Sequence, residues 1–395
     1  MTKKTKNKEG LALVPTILIV AVILAIGAGA YYWSNKKEKS VEPPAPTQPP
    51  GSSNTPPPTS SNNKAVPPQK ILKVAIGLIP KQFSPDFCPK VSADGSKIVF
   101  QKSGAGAGGS EGKPEEGGLW IMNADGTGIK QLTKDRPIGT CDSFGWSPIV
   151  DIHYNDRYVF YIVSKPAPGK FPDRTFVLKV VNQDGDYTKE LTAVDEFVAF
   201  PRWISVTDIA YIDRDYPSDN GPLKIVGVDG NIPVRQGNEV ALVYADYRNN
   251  ALDQGVIKSV TFDGVVKQLT PDTESAAFPV LSPDGKKVAY ISFSSGKIIV
   301  MDIDGSGKVQ IGSGENPSWS FDSSKIAYSV AKEDHYNVTA SDIYIVNADG
   351  TGNRKVETEI EKGPALNPRW FPDGKHIVLD YDDKGVGTIE ILPVK

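Results

Sequence analysis

The sequence predicts an all-β fold, a seven-bladed β-propeller, on three observations. A four-strand unit repeats with a period between 40 and 50 residues, Asp-Gly turns recur at the same point of six units, and Val, Ile, Tyr and Phe fall in short alternating runs with little helical periodicity. The unit is plainest in Trp319-Ser320-Phe321-Asp322-Ser323-Ser324-Lys325-Ile326-Ala327-Tyr328, followed by Asp342-Ile343-Tyr344-Ile345-Val346-Asn347-Ala348-Asp349-Gly350-Thr351. Related versions begin at Leu281-Ser282-Pro283-Asp284-Gly285-Lys286 and Trp370-Phe371-Pro372-Asp373-Gly374-Lys375.

Seven second strands are expected, at 97–100, 158–161, 208–211, 240–244, 287–290, 325–328 and 376–379. Each leads to a third strand, such as 119–122, 176–179 or 388–392, and six of these run into Asp125-Gly126, Asp184-Gly185, Asp229-Gly230, Asp263-Gly264, Asp304-Gly305 or Asp349-Gly350. Asp and Gly tolerate the positive φ of a tight hairpin, so these turns fix the register. A fourth strand is expected after each turn, often ending in Leu-Thr as at Leu132-Thr133, Leu191-Thr192 and Leu269-Thr270. The seventh unit has none, whereas the strand 71–77 precedes the first unit and has no blade of its own. It is expected to supply the missing outer strand and so join the ends of the ring. Unit four leaves only a short connection between Val234 and Val240 where an inner strand is due, which makes six blades the alternative count.

These residues resemble the TolB-type propeller repeat family, whose blade reads Pro-x-Trp-Ser-Pro-Asp-Gly-Lys, an apolar strand, Asp-Ile-Tyr-x-x-Asn-x-Asp-Gly and Leu-Thr. The resemblance covers about residues 71 to 395 and is strongest in units five to seven. Unit two departs from it with Ser147-Pro148-Ile149-Val150-Asp151-Ile152-His153, and unit three with Trp203-Ile204-Ser205-Val206-Thr207. The family's namesake carries an α/β domain before its propeller where this sequence has a Pro-rich stretch, so its particular partners are not implied. The resemblance also brings in propeller peptidases, which append an α/β-hydrolase domain that is not expected here, and propeller lyases with a histidine-rich metal site.

Ahead of the ring, residues 1–9 form a short basic tail and residues 10–34 an expected transmembrane helix, uncharged from Gly10 to Trp33. At about 1.5 Å per residue such a run crosses a hydrocarbon layer of about 30 Å, and Tyr31, Tyr32 and Trp33 supply an interfacial aromatic belt. A cleaved signal ending at Ala28-Gly29-Ala30 is the alternative, but the apolar run exceeds an ordinary signal core. Residues 35–70 are expected to be a disordered linker: ten prolines fall between 41 and 70 with few apolar side chains among them. The succession of tail, span, linker and large domain (71–395) points to a cell membrane protein that displays its propeller outside the cytoplasm.

With 44 basic and 47 acidic side chains and no long run of one sign, the chain lacks the concentrated basic surface that nucleic acid requires. No catalytic, cofactor or metal-binding set emerges. Gly108-Gly109-Ser110-Glu111-Gly112 has the form of a hydrolase elbow, but the strand leading in and helix leading out are absent from the sequence pattern. His153, His335 and His376 occupy unlike places in their units and are not expected to converge on a metal. Asp302–Gly307 and Asn123–Gly128 resemble calcium loops without the closing glutamate, and read as hairpin turns. The acidic residues Asp213, Asp215 and Asp219 around Arg214 and Tyr216 read as a solvated loop, and Asn337-Val338-Thr339 as an unmodified sequon. Trp203, Trp319 and Trp370, with Trp146, recur at one place in the unit and are expected to pack between blades.

Insertions at 104–118, 164–174, 213–221 and 331–340 connect second to third strands, so they should emerge together on one face. The function expected is non-enzymatic protein binding by that face; the alternatives are a glycan-binding module and an enzyme acting on a polysaccharide or peptide in the central channel. Cys88 and Cys141, the only cysteines, hold matching positions in the first two units and can form a disulfide in an exported domain, the alternative being two separate buried thiols. Thiol titration of the denatured, unreduced protein is expected to find no free thiol; two free thiols would leave the pair unbonded.

Overall fold

In the computed structural model the described residues are 72–78, 88–102, 117–135, 158–166, 174–193, 196, 198–205, 207–213, 221–233, 236–247, 255–334, 337–357, 365–383 and 386–394. The predicted span, the Pro-rich linker, Cys141, Trp146, His153, His335, the 108–112 motif and most of the Asp213–Asp219 cluster lie outside them.

The strands form seven antiparallel sheets. The first described strand is β1 (Leu72–Leu78), and blade one follows with β2 (Lys90–Val91), β3 (Lys97–Lys102), β4 (Gly118–Asn123) and β5 (Lys130–Thr133). Blade two contains β6 (Tyr158–Pro166), β7 (Arg174–Asn182) and β8 (Thr188–Glu190); blade three contains β9 (Val198–Trp203), β10 (Asp208–Asp213) and β11 (Leu223–Gly227). Blade four contains β12 (Val240–Tyr247), β13 (Gly255–Thr261) and β14 (Val266–Gln268). Blade five runs β15 (Ala276–Leu281), β16 (Lys287–Ser292), β17 (Lys297–Asp302) and β18 (Val309–Gly312), and blade six β19 (Glu315–Trp319), β20 (Lys325–Asp334), β21 (Asn337–Asn347) and β22 (Arg354–Lys355). Blade seven has β23 (Ala365–Trp370), β24 (His376–Asp383) and β25 (Val386–Pro393), and β1 completes it in the order β1-β25-β24-β23. Leu72 pairs with Ile391 and Val74 with Ile389, so the strand that begins the ring is also its last outer strand.

The core lies between blades. Six apolar clusters each straddle neighbouring sheets; one joins Ile98, Phe100 and Met122 of blade one to Val378, Ile389 and Ile391 of blade seven. The recurrent tryptophans serve these seams: Trp203 lies 5.7 Å from the Phe160 ring of blade two, Trp319 donates Nε1–H to the Val280 carbonyl of blade five at 2.9 Å, and Trp370 packs with Ala327, Ile343 and Ile345 of blade six.

Turn chemistry locks each sheet. The first residue past the third strand donates its backbone N–H to the first turn of its own blade, as in Ala124 to Ser96, Ile303 to Lys286 and Ala348 to Ser324. The threonine of Leu-Thr caps the third strand of its blade, where Leu178 N–H donates to Thr192 Oγ1 and Ile257 N–H to Thr270 Oγ1. Glycine is required at Asp304-Gly305 twice over: φ is +87°, and a Cβ there would stand 2.7 Å from the Leu269 carbonyl oxygen of the preceding blade.

Blade three departs from the expected repeat, because no fourth strand follows its Asp229-Gly230 turn among the described residues, and blade four lacks an inner strand in the same way. Pro233 stands where the outer strand would begin and has no N–H to donate to a ladder. The insertion 331–340, expected as a loop, instead prolongs the β20–β21 hairpin with pairing from Lys325–Asn347 to Asp334–Asn337. Deleting residues 71–79 is expected to lower the melting temperature by about 10 °C or more, since it removes the outer strand of blade seven and its seam; an unchanged melting curve would contradict closure by β1.

Candidate functional site

The two faces of the ring differ. One carries the turns between first and second strands and those between third and fourth, and both kinds are closed by their own side chains. Asp322 accepts from Ser320 Oγ at 2.6 Å and from Ser324 N–H at 3.0 Å; Asp304 accepts from Ser306 N–H at 2.9 Å and Asp349 from Thr351 N–H at 2.9 Å. Asp302, at the head of a calcium-like segment, is taken by Lys287 Nζ at 2.6 Å. These loops are turns whose carboxylates are already engaged.

The other face carries the hairpins between second and third strands and the connections from each blade to the next. The hairpins are unequal, with β20 and β21 of 10 and 11 residues and β16 and β17 of six each. Under them lies a repeated clamp. In blade two Tyr161 and Lys179 are cross-strand partners, and both reach Asp135 in the connection from blade one, the tyrosine at 3.2 Å. Blade three repeats this with Tyr211 and Lys224 on Glu196, at 2.7 and 2.8 Å, and Lys224 also meets Asp213 of the predicted acidic cluster at 2.7 Å. In blade five Glu274 takes Tyr290 and Lys308. Burial, and then the neighbouring carboxylate, pushes the pKa of Tyr211 and Tyr290 well up; burial does the same for Tyr161, beside Asp135. Each hydroxyl keeps its proton and donates it, so the clamps fasten each blade to the connection that leads into it.

The innermost strands share a second device. Cys88-Pro89, Phe200-Pro201, Phe278-Pro279, Asn316-Pro317 and Asn367-Pro368 all place the residue before proline at φ between 51° and 55°. The pairing register breaks there in blades three, five, six and seven. Two positions further on, three of these strands carry a base: Lys90, Arg202 and Arg369. At the closing seam Asp380, fully buried, accepts from Cys88 N–H at 3.2 Å and from Asn367 Nδ2 at 3.1 Å, while Gln101 Nε2 lies 3.4 Å from Cys88 Sγ. His376, the one histidine among the described residues, is held by Asp373 at 2.6 Å in a turn. Neither the clamps nor the bulges were read from the sequence. Their signals are an acid two to four residues past Leu-Thr, at Asp135, Glu196 and Glu274, and a proline shortly before the first turn of the blade, two residues ahead of a tryptophan in blades three, six and seven.

Seven radially arranged sheets, closed by a strand from the other end of the domain, define a β-propeller. The TolB beta propeller domain matches residues 237–394, blades four to seven. A TolB homologue of Chlorobium luteolum is 36% identical over 124 residues, 30% of this chain and 27% of that protein. A probable dipeptidyl-peptidase 5 of Aspergillus clavatus is 24% identical over 269 residues, 54% of this chain and 36% of that protein. The matches therefore span about a third of the length of these curated relatives. Among solved structures, an oligogalacturonate lyase from Vibrio parahaemolyticus is 14% identical with a TM-score of 0.48, covering 82% of this chain and 97% of that one. TolB from Acinetobacter baumannii is 13% identical with a TM-score of 0.40, covering 78% of each. The ring is therefore a β-propeller whose last four blades match the TolB beta propeller domain.

The turn face makes stability pH-dependent. Hydrogen bonds from Ser320 and Ser324 lower the Asp322 pKa to about 2, and Asp125, Asp304 and Asp349 are lowered by their threonine or serine partners. A depressed folded-state pKa stabilises the fold above the unfolded value of about 3.9 and is lost as pH falls through the folded value. Melting temperature is therefore expected to drop between about pH 4 and pH 2, less steeply in Asp322→Asn. The raised tyrosines act at the other end, with stability lost above about pH 10. Thermal scans across pH check both limbs.

Proposed function

We propose that the ring is a non-enzymatic scaffold that holds a protein partner on its hairpin face and is displayed outside the cytoplasm by a membrane span at residues 10–34 and the linker 35–70. The observation that carries this reading is the asymmetry of the faces. The turn face repeats one self-satisfied motif, whereas the hairpin face varies from blade to blade on a scaffold that the tyrosine clamps hold in place. Variable loops on a rigid frame are where recognition resides. An acidic glycan in the channel is the alternative occupant, favoured by Lys90, Arg202 and Arg369 at one position of three innermost strands. Catalysis has thinner support, from a peptidase relative of which the match covers 36%.

The test is affinity capture from the organism's own solubilised envelope with the full chain and with a variant whose residues 332–340 are replaced by an Asn-Gly turn. The native chain is expected to retain one protein selectively, and the trimmed variant at least tenfold less with an unchanged melting curve. Equal retention would remove this hairpin from the binding face; retention of polyuronate and of no protein would favour the glycan.

A further inference from the structure

The sequence contains nine Asp-Gly dipeptides, and all nine stand in described turns of the turn face. Such a pair is where an aspartyl side chain most readily cyclises onto the following amide, because glycine has no side chain to obstruct the approach. Two features of a fold oppose that reaction: a turn that engages the glycine N–H, and a hydrogen bond that holds the carboxylate away from it. The first is common to all nine, as in Gly126 to the Asn123 carbonyl at 2.9 Å, Gly305 to Asp302 at 2.8 Å and Gly185 to Asn182 at 3.1 Å. The second is not.

Eight of the nine carboxylates accept hydrogen bonds. Asp94, Asp284 and Asp373, between first and second strands, are held by backbone N–H groups of their own turns. In the outer turns of blades one, three, five and six the residue two past the aspartate donates both its N–H and its side chain: Thr127, Asn231, Ser306 and Thr351. Asp263 of blade four accepts from Gly237 N–H at 2.9 Å. In blade two the holding position is Asp186, a carboxylate where the other turns have a donor, and it accepts from Asn182 Nδ2 at 2.6 Å. The Asp184 side chain is 66% exposed, and among the described residues it meets only Lys130 Nζ, at 3.8 Å. The same Lys130 Nζ donates to the Asp184 carbonyl at 3.2 Å. That carbonyl belongs to the peptide joining Asp184 to Gly185, so the contact draws electron density from the peptide and eases loss of the Gly185 proton. Lys189 and Lys267 make the equivalent contact to Asp229 and Asp304, but there Asn231 and Ser306 hold the side chain. Asp184 alone combines the lysine with an unheld carboxylate.

We propose that Asp184-Gly185 is a modification site, at which the chain converts aspartate to isoaspartate without an enzyme. The Gly185 nitrogen bonds to Cγ of the protonated Asp184 carboxyl; the carboxyl OH and the amide proton leave as water, and a cyclic succinimide results. Water then adds at the Asp184 main-chain carbonyl and breaks its bond to the Gly185 nitrogen. The backbone thereafter runs through Cγ, and the former carbonyl is the free carboxylate, beside Lys130. The added main-chain carbon falls at the seam between blades one and two, where even a Cβ on Gly185 would stand 3.2 Å from the Leu132 carbonyl oxygen.

The full chain in detergent micelles is aged at physiological temperature and mildly acidic pH, and electron-transfer fragmentation of its peptides tells aspartate from isoaspartate at each Asp-Gly site. Deamidation at Asn220-Gly221 adds mass and is read separately. Isoaspartate at 184 is expected to accumulate at least fivefold faster than at any of the other eight sites, and this lead is expected to vanish in the chain unfolded with guanidinium chloride. Asp186→Thr restores the donor of blades one and six, whose threonine hydroxyls also bond Asn123 and Asn347 Nδ2 at 2.9 and 3.0 Å, so the Asn182 contact is kept. The variant is expected to slow the reaction at 184 at least threefold with an unchanged melting curve. Equal rates at the nine sites of the folded chain, a lead at 184 that persists undiminished on unfolding, or an unchanged rate in Asp186→Thr each overturn the proposal.

Discussion

A ring of sheets holds only if its two ends are joined, and here seven residues do that. Pairing of Leu72–Leu78 with Val386–Pro393 makes blade seven four-stranded and presses its inner face on blade one. Every other seam is made between blades adjacent in sequence, so this is the one contact with a large loop-closure cost before it contributes anything. The seam also carries a buried polar contact, in which Asp380 accepts from Asn367 Nδ2 and from the Cys88 amide. A directional network at the closing contact sets how the last blade sits on the first, which apolar packing alone does not.

Repetition made the ring legible. Second strands, Asp-Gly turns and the closing strand stand in the sequence because each must recur wherever a blade recurs, and each occupies a fixed offset from the last. Places where one blade differs from its neighbours were legible only in part: the short connection between Val234 and Val240 already signals the missing inner strand of blade four, whereas nothing signals the fourth strand that is not found after Asp229-Gly230 among the described residues. Pro233 reads locally as another loop residue, and it has no N–H to give to a ladder. The 331–340 segment was read as an insertion loop between a second and a third strand, whereas its backbone pairs as a continuation of the β20–β21 hairpin. The clamps escaped because their partners, Tyr161 and Asp135 or Tyr211 and Glu196, come from different blades and no local period links them.

Many of the described charges in this domain fasten the fold. Asp135, Glu196 and Glu274 hold the connections, and the turn aspartates hold their own backbones. Lys130, Lys189 and Lys267 on outer strands each reach forward to a turn of the next blade. A near-neutral chain with 91 charged side chains can therefore show a partner far less charge than its composition implies, because many of those groups face one another.

The prolines of the innermost strands bear on how the channel can hold anything. Pro89, Pro201, Pro279, Pro317 and Pro368 each remove an amide hydrogen from an edge that no further strand covers, and each follows a residue in the left-handed region. An edge interrupted this way cannot run a continuous hydrogen-bond ladder with a visiting chain. Whatever enters the channel must be gripped by side chains, so its recognition can be retuned by point substitution while the backbone around it stays the same.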